Sequence, residues 1–377
     1  CSKRLRRKPV FFNKKRSLKL QQISLERKSK GCLNTFETAS FLLCIVIPEK
    51  SMFRTELTPH PAHKPIKLGQ KIVSIGSCFA DCMGRRLLEY KFETLTNPFG
   101  VLFNPLSVAS LLLAALRGNQ LDPERIVERN GRYFHFDLHS CFHSKSPDEL
   151  MEKGNKALAE TAEKLKMADH LIITLGTAYA YRHLATDRHV ANCHKMPQGI
   201  FAKELLSPRV IEEALSELVG ELTRLPGNPS VTMTVSPVRH IKDTIPLNNV
   251  SKSTLRLVVH NLTTQHEAIR YFPSYELMMD DLRDYRFYKE DMLHPTPQAE
   301  GYIWKKFIET TFDDEAFSFT KEWKKMRNAL SHRPLNPGSK EHKDFILKTI
   351  SHLQGFSSKV NTLPEIEEMT RQLRLYE

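Results

Sequence analysis

Residues Ile72-Val73-Ser74-Ile75-Gly76-Ser77-Cys78-Phe79-Ala80 decide the fold. A short apolar run ends abruptly in Gly-Ser and gives way to a helical pattern, as when a strand turns directly into a helix. Such a corner lifts a hydroxyl clear of the backbone and surrounds it with amide N–H groups. The matching half lies far downstream, at Asp291-Met292-Leu293-His294-Pro295. An Asp three residues before a His can curl back and hold the imidazole by one ring nitrogen. The other nitrogen is then left to take a proton from a serine. Alone, Ser77 reads as a helix N-cap. Joined to Asp291 and His294 in this order, it reads as a nucleophile with its base and orienter.

Outward from Gly76-Ser77, short β-rich runs alternate with longer helical ones, which predicts an α/β fold with a parallel sheet covered by helices. Strands are expected at Lys71–Ile75, Arg132–Asp137, His170–Leu175 and Ser230–Val235, with a last short one at Glu276–Met279. Asn130-Gly131 is the expected hairpin turn before Arg132. Helices are expected from about Phe79 to Tyr90, Pro105 to Leu116, Pro208 to Leu225, Ser251 to Tyr271 and Pro297 to Phe307. One more runs to about Met167, opened by the capping box Ser146-Pro147-Asp148-Glu149. The chemical candidates fall where strands end: Ser77 after the first, Gly176-Thr177 after His170–Leu175, Ser236-Pro237 after Ser230–Val235. Ligands of open parallel sheets bind at that edge.

The formal charge is +13, but residues 1–51 hold 13 Lys/Arg against 3 Glu and so carry +10 of it. The remainder is close to neutral, which argues against nucleic-acid binding. The longest apolar run, Phe41 to Ile47, is too short to span a membrane. The basic leader begins at Cys1, lacks a small-residue cleavage site after its apolar stretch, and changes character at Met52. It reads either as a disordered tail or as sequence translated ahead of a start at Met52, the second being favoured. Seven scattered cysteines do not make a disulfide framework, and a reducing, cytoplasmic setting is expected. Cys78, Cys82, Cys193 and His194 lack the spacing of a zinc site, and neither a metal nor another cofactor is expected. Cys78, at a helix N-terminus, is an alternative nucleophile. Nothing in the sequence sets the oligomeric state.

The motif Gly76-Ser77-Cys78-Phe79-Ala80 spells the name of the GSCFA family, and the chain resembles that family from about Phe53 to beyond Pro337. The resemblance includes Asn97-Pro98-Phe99-Gly100, Leu175-Gly176-Thr177, Asn192-Cys193-His194-Lys195, Ser236-Pro237-Val238-Arg239-His240, Ser251-Lys252, Phe272-Pro273-Ser274-Tyr275-Glu276, Leu282 to Tyr288 and Ser331-His332-Arg333-Pro334. Gly-Ser early and Asp-x-x-His late also resembles the SGNH (GDSL-like) esterases. That likeness implies a flavodoxin-like three-layer sandwich with a parallel sheet and a helical C-terminal extension. The expected organisation is a leader over 1–51, the α/β hydrolase domain over 52–311 and the extension over 312–377.

Carried over to this chain, the resemblance implies Ser77 as nucleophile, His294 as general base and Asp291 as its orienter. The Ser77 and Gly100 amides are the implied oxyanion donors. The superfamily's usual Asn is replaced by Ala178, so Thr177 or Asn192 is expected to supply the third. Asn97, Asn192 and His194 are expected to line the substrate, the last two on a lid. Arg239 or His240 is expected to meet an acidic substrate group, unless Arg239 pairs with Asp284 or Asp291. The implied activity is that of a serine esterase removing a small O-acyl group, such as acetyl, from a carbohydrate. A sugar O-acyltransferase using the same triad and a silent carbohydrate-binding relative are the alternatives.

Overall fold

The computed structural model describes residues 54–376; the leader expected over 1–51 lies outside them. The central sheet is parallel and five-stranded: β1 (Lys71–Gly76), β2 (Glu93–Thr96), β3 (His170–Leu175), β4 (Ser230–Val235) and β5 (Ile269–Tyr271), in the order β5-β4-β3-β1-β2. Registers run Ile72 to His170 between β1 and β3, and Ser230 to His170 between β4 and β3. Side chains alternate across such a sheet. Val73, Ile75, Leu171, Ile173, Leu175, Val231 and Met233 join the core on one face, while Ile72 and Ile172 join the core on the other. Both faces are covered, so β3 and β4 are buried throughout.

The first core is closed by helices α2 (Pro105–Arg117), α3 (Pro147–Lys166), α4 (Pro208–Thr223) and α5 (Thr244–Gln265). The second is closed by α1 (Cys78–Glu89), α6 (Pro297–Thr311) and the C-terminal helices α7 (Asp314–Leu330), α8 (Lys340–Phe356) and α9 (Leu363–Arg374). This is the expected three-layer α/β sandwich with a helical extension. Trp323 seats the extension: it is buried, packs on Phe319 and Phe356, and its indole N–H donates to Glu89 O at 2.9 Å. No helix among the described residues is long and apolar enough to cross a membrane.

Several local readings are corrected. Arg132–His135 is a strand, but it belongs to a small antiparallel sheet with Ile126–Arg129 and His143–Ser144. Its turn is the expected one, with Asn130 and Gly131 both at positive φ. Glu276–Met279 is helical, because Leu277 and Met278 turn into the second core. The last strand is instead Ile269–Tyr271, cut from the end of the helix expected to reach Tyr271. Ser146 makes no side-chain cap; Glu149 takes its hydrogen bond from Ser144.

Between β1 and β3 the chain order reverses, since β2 lies on one side of β1 and β3 on the other. Loops leaving two such strands diverge and open a crevice at their carboxyl ends. The Gly76-Ser77-Cys78 corner and Gly176-Thr177 stand at that crevice.

Candidate active site

Gly76 makes the corner possible. It has φ +135°, and a Cβ there would lie 2.0 Å from Thr174 O on the neighbouring strand. The chain can therefore turn hard against β3 only without a side chain. Ser77 follows as the N-cap of α1, its hydroxyl accepting from the Phe79 amide at 3.3 Å. It is 1 % exposed, with Cβ facing the backbone at Gly176. Cys78, the first helical residue, is only partly buried and faces the opposite wall of the crevice.

That wall is the loop around Asp291 and His294. Asp291 Oδ1 accepts from the Leu293 and His294 amides at 2.8 and 2.9 Å, and Oδ2 lies 2.7 Å from His294 Nδ1. The amides of His294 and Leu293, then the imidazole, hold the carboxyl down at about 2. With Asp291 fixing Nδ1 as the protonated nitrogen, Nε2 is free to accept. It lies 3.8 Å from Cys78 Sγ. The structure thus brings the expected Asp-His pair to the expected corner, but against the thiol rather than the Ser77 hydroxyl. Burial raises the Cys78 thiol pKa above its ordinary range, while the Cys78 and Phe79 amides and the Lys252 ammonium pull the other way.

The three implied oxyanion donors are all committed elsewhere. The Ser77 amide donates to Thr174 O at 3.0 Å, and the Gly100 amide to Asn97 O at 2.8 Å. The Thr177 amide donates to Phe103 O at 3.0 Å, and its hydroxyl is held by Ser251 and the Tyr179 amide. Asn97 is likewise a bracket rather than a substrate contact. Its carbonyl oxygen accepts from Gly76 N at 2.8 Å and its amide nitrogen donates to Asp81, tying the end of β1 to α1.

The expected lid is anchored in the interior at His194, while Asn192 and Cys193 are half-buried and Lys195 is exposed. Asn192 Oδ1 accepts from the His194 amide at 2.8 Å in a tight turn. His194 is 2 % exposed, stacks on Phe134, and has both ring nitrogens engaged, by Ser140 Oγ and His135 O. Burial among these partners pushes it down to about 4, so it is a neutral packing residue. Neither Asn192 nor His194 stands at the Cys78–His294 contact, because the chain there turns inward onto Phe136.

Arg239 and His240 do stand beside it. The Arg239 amide approaches Leu293 O at 3.5 Å, next to His294. The His240 ring meets Phe103 edge-on, and its Nε2 has no hydrogen-bond partner among the described residues. Burial, then the Lys252 and His294 charges, press it down to about 4. Lys252 was legible only as part of a family motif. It is fully buried, and Nζ donates to Gly176 O and Ser236 O, both at 2.7 Å, joining the carboxyl ends of β3 and β4 beneath the crevice. Burial lowers its pKa to about 7. No group of three or more His, Cys, Asp or Glu among the described residues is arranged to hold a metal.

The sequence model of the GSCFA family matches residues 71–307. The chain belongs to the GSCFA family. A second match, to the GSCFA domain protein C-terminal domain, covers residues 323–375 and hence the end of α7 and all of α8 and α9. The curated proteins contain no match to the chain. In this GSCFA protein the eponymous motif divides its labour. Gly76 and Ser77 build the corner, Cys78 faces the base, and Phe79 and Ala80 anchor α1 in the core.

Proposed function

We propose that this protein is an ester hydrolase with the activity the SGNH resemblance implies, but with Cys78 in place of the implied Ser77 as nucleophile, His294 as base and Asp291 as orienter. The observation that carries this reading is the 3.8 Å approach of His294 Nε2 to Cys78 Sγ, with Nδ1 held by Asp291. Nucleophile, base and third group in register is the recurring arrangement for covalent acyl transfer.

The thiol is protonated at rest, since burial raises its pKa. As sulfur attacks the ester carbonyl, the S–H proton passes to Nε2, an S–C bond forms, and the carbonyl electron pair moves to oxygen. Asp291 stays ionised and stabilises the imidazolium. The donors proposed for the oxyanion are the Cys78 amide, first of α1, and a neutral His240, whose Nε2 has no partner among the described residues. Collapse breaks the C–O bond, and the departing alkoxide takes the proton from His294. Water, deprotonated by the same nitrogen, then attacks the thioester and releases acid and thiol. A second alcohol in place of that water would make the enzyme an O-acyltransferase.

A silent binding relative is the second reading. The observation favouring it is that the Ser77, Gly100 and Thr177 donors are already consumed. Full-length protein should be screened on short-chain p-nitrophenyl esters and acetylated sugars, then treated with iodoacetamide and, separately, a fluorophosphonate. Turnover with blocking alkylation at Cys78 supports the proposal. A fluorophosphonate adduct on Ser77 that abolishes turnover would restore the serine mechanism. Silence toward every ester and both reagents would favour the binding module.

A further inference from the structure

A cavity of about 450 Å³ borders the segment that pairs with the His294 loop, although His294 and Cys78 are not among its lining residues. One wall is Tyr288, whose backbone bridges to Pro295, and the neighbouring Lys289 amide donates to His294 O at 2.8 Å. The lining also holds Arg239, Asn249, Tyr285, Arg283 and the carboxylates Asp280 and Asp284. The Arg239 guanidinium carbon lies 4.2 Å from the centre of the Tyr288 ring and 5.4 Å from that of Tyr285. Stacking on ring faces orients a guanidinium, and N–H groups beyond the one directed at the Tyr288 hydroxyl are left for a ligand.

No carboxylate among the described residues pairs with Arg239, and neither Asp284 nor Asp291 takes it up: Asp284 turns to the Arg286 amide, Asp291 to His294. A half-buried cation braced by two aromatic rings and lacking an anion is built to receive one. The remaining lining suits a polyhydroxylated ring. Tyr285 is 62 % exposed and offers a flat apolar face for C–H groups, while Asn249 and Asp284 can bond hydroxyls.

We propose that this cavity is a subsite for an anionic sugar, a pyranose bearing a carboxylate or a phosphate, with Arg239 binding the anion and Tyr285 stacking on the ring. Because Tyr288 and Lys289 pair with the His294–Pro295 backbone, we assign to it the alcohol part of the ester. That assignment rests on the proposed acyl chemistry, but the binding itself does not.

The test is calorimetric titration of the full chain with D-glucuronate, D-glucose 6-phosphate and D-glucose, for wild type, Cys78→Ala, Arg239→Gln and Tyr285→Ala. At least one anionic sugar should bind wild type and Cys78→Ala equally, and at least tenfold more tightly than glucose. Which anion binds distinguishes carboxylate from phosphate. Arg239→Gln should erase the preference over glucose. Tyr285→Ala, at an exposed position that leaves folding intact, should weaken both anionic and neutral sugars. Failure of both anions to bind, equal binding of glucose, or full affinity in Arg239→Gln each overturns the subsite. Binding to Cys78→Ala in a protein that turns over no ester would keep the subsite and defeat the thiol chemistry. Turnover without any anion preference would do the reverse.

Discussion

The two walls of the crevice are built on opposite principles. On the sheet side, Gly76, Ser77, Asn97, Thr177 and Lys252 are buried and Gly100 half-buried, and most of the polar groups they carry are used within the fold. On the loop side, Asp291 and His294 are about two-fifths exposed, and Arg239 stacks on Tyr288 without a carboxylate partner among the described residues. Saturated polar groups rigidify a scaffold, whereas chemistry needs groups with spare bonding capacity held in place. Cys78 sits where the walls meet, and it is the sheet-side group that points across. The difference teaches that a residue's neighbourhood in the motif does not decide its role; its remaining valence does.

The sharpest way to break this comparison is to exchange the two adjacent candidates. Cys78→Ala should reduce ester turnover by about a thousandfold or more, and adding His294→Ala should cost little further, because groups acting as one unit are not additive. Ser77→Ala should keep turnover within about tenfold of wild type and instead lose about 1 kcal/mol of stability with its cap. Steady-state rates and urea unfolding of the four proteins measure both halves. The opposite pattern, an inactive Ser77→Ala and an active Cys78→Ala, would put the chemistry on the saturated wall.

Gly76→Ala tests the scaffold itself. The added Cβ would meet backbone at 2.0 Å in a conformation side chains rarely adopt, so the strand-helix corner must shift or the protein must unfold. Loss of soluble protein, or a large drop in Tm, is expected. A variant that melts normally would show that the corner is not strained against β3.

On the loop side, Asp291→Asn should lower turnover by about tenfold to a hundredfold, less than the loss of either reacting group, since the imidazole loses its orienter and not its nitrogen. Because backbone amides and the imidazole hold Asp291 down to about 2, its carboxylate stays charged at every working pH above that. The acid side of the wild-type pH profile should therefore not reflect Asp291. An unchanged rate in Asp291→Asn would remove it from the mechanism.

Much of this was legible in the sequence because it rests on local signals. Pro105 after Asn104, Pro208 after Ser207 and Pro297 after Thr296 all open helices with the cap in place. The runs at His170 and Ser230 are buried strands, as their continuous β-rich pattern predicts. Glu93–Thr96 escaped because an edge strand with a polar face has no such pattern. The Asp291–His294 pair was legible because three residues fix its geometry, but its choice of Cys78 over Ser77 depends on two loops meeting in space. Lys252 was illegible as a buried group: a charge within a helix reads as solvent-facing until the carbonyls at Gly176 and Ser236 are seen closing on it.

The last effect expected concerns that lysine, and it measures how saturated the sheet side is. In the unfolded chain the amine keeps its ordinary pKa of 10.5, and in the folded protein burial lowers it to about 7. Between those values the unfolded state binds the extra proton, so this group makes stability rise with pH across the window. Below about 7 both states are protonated and its contribution levels off. Lys252→Met keeps the length and apolar stem, removes the titration, and leaves two carbonyls without donors. The variant should be less stable than wild type, and the gap should be wider at pH 9 than at pH 7 in matched urea titrations. A gap that does not change with pH would mean that the amine titrates alike in both states. The saturated wall would then be more open to water than its two hydrogen bonds imply.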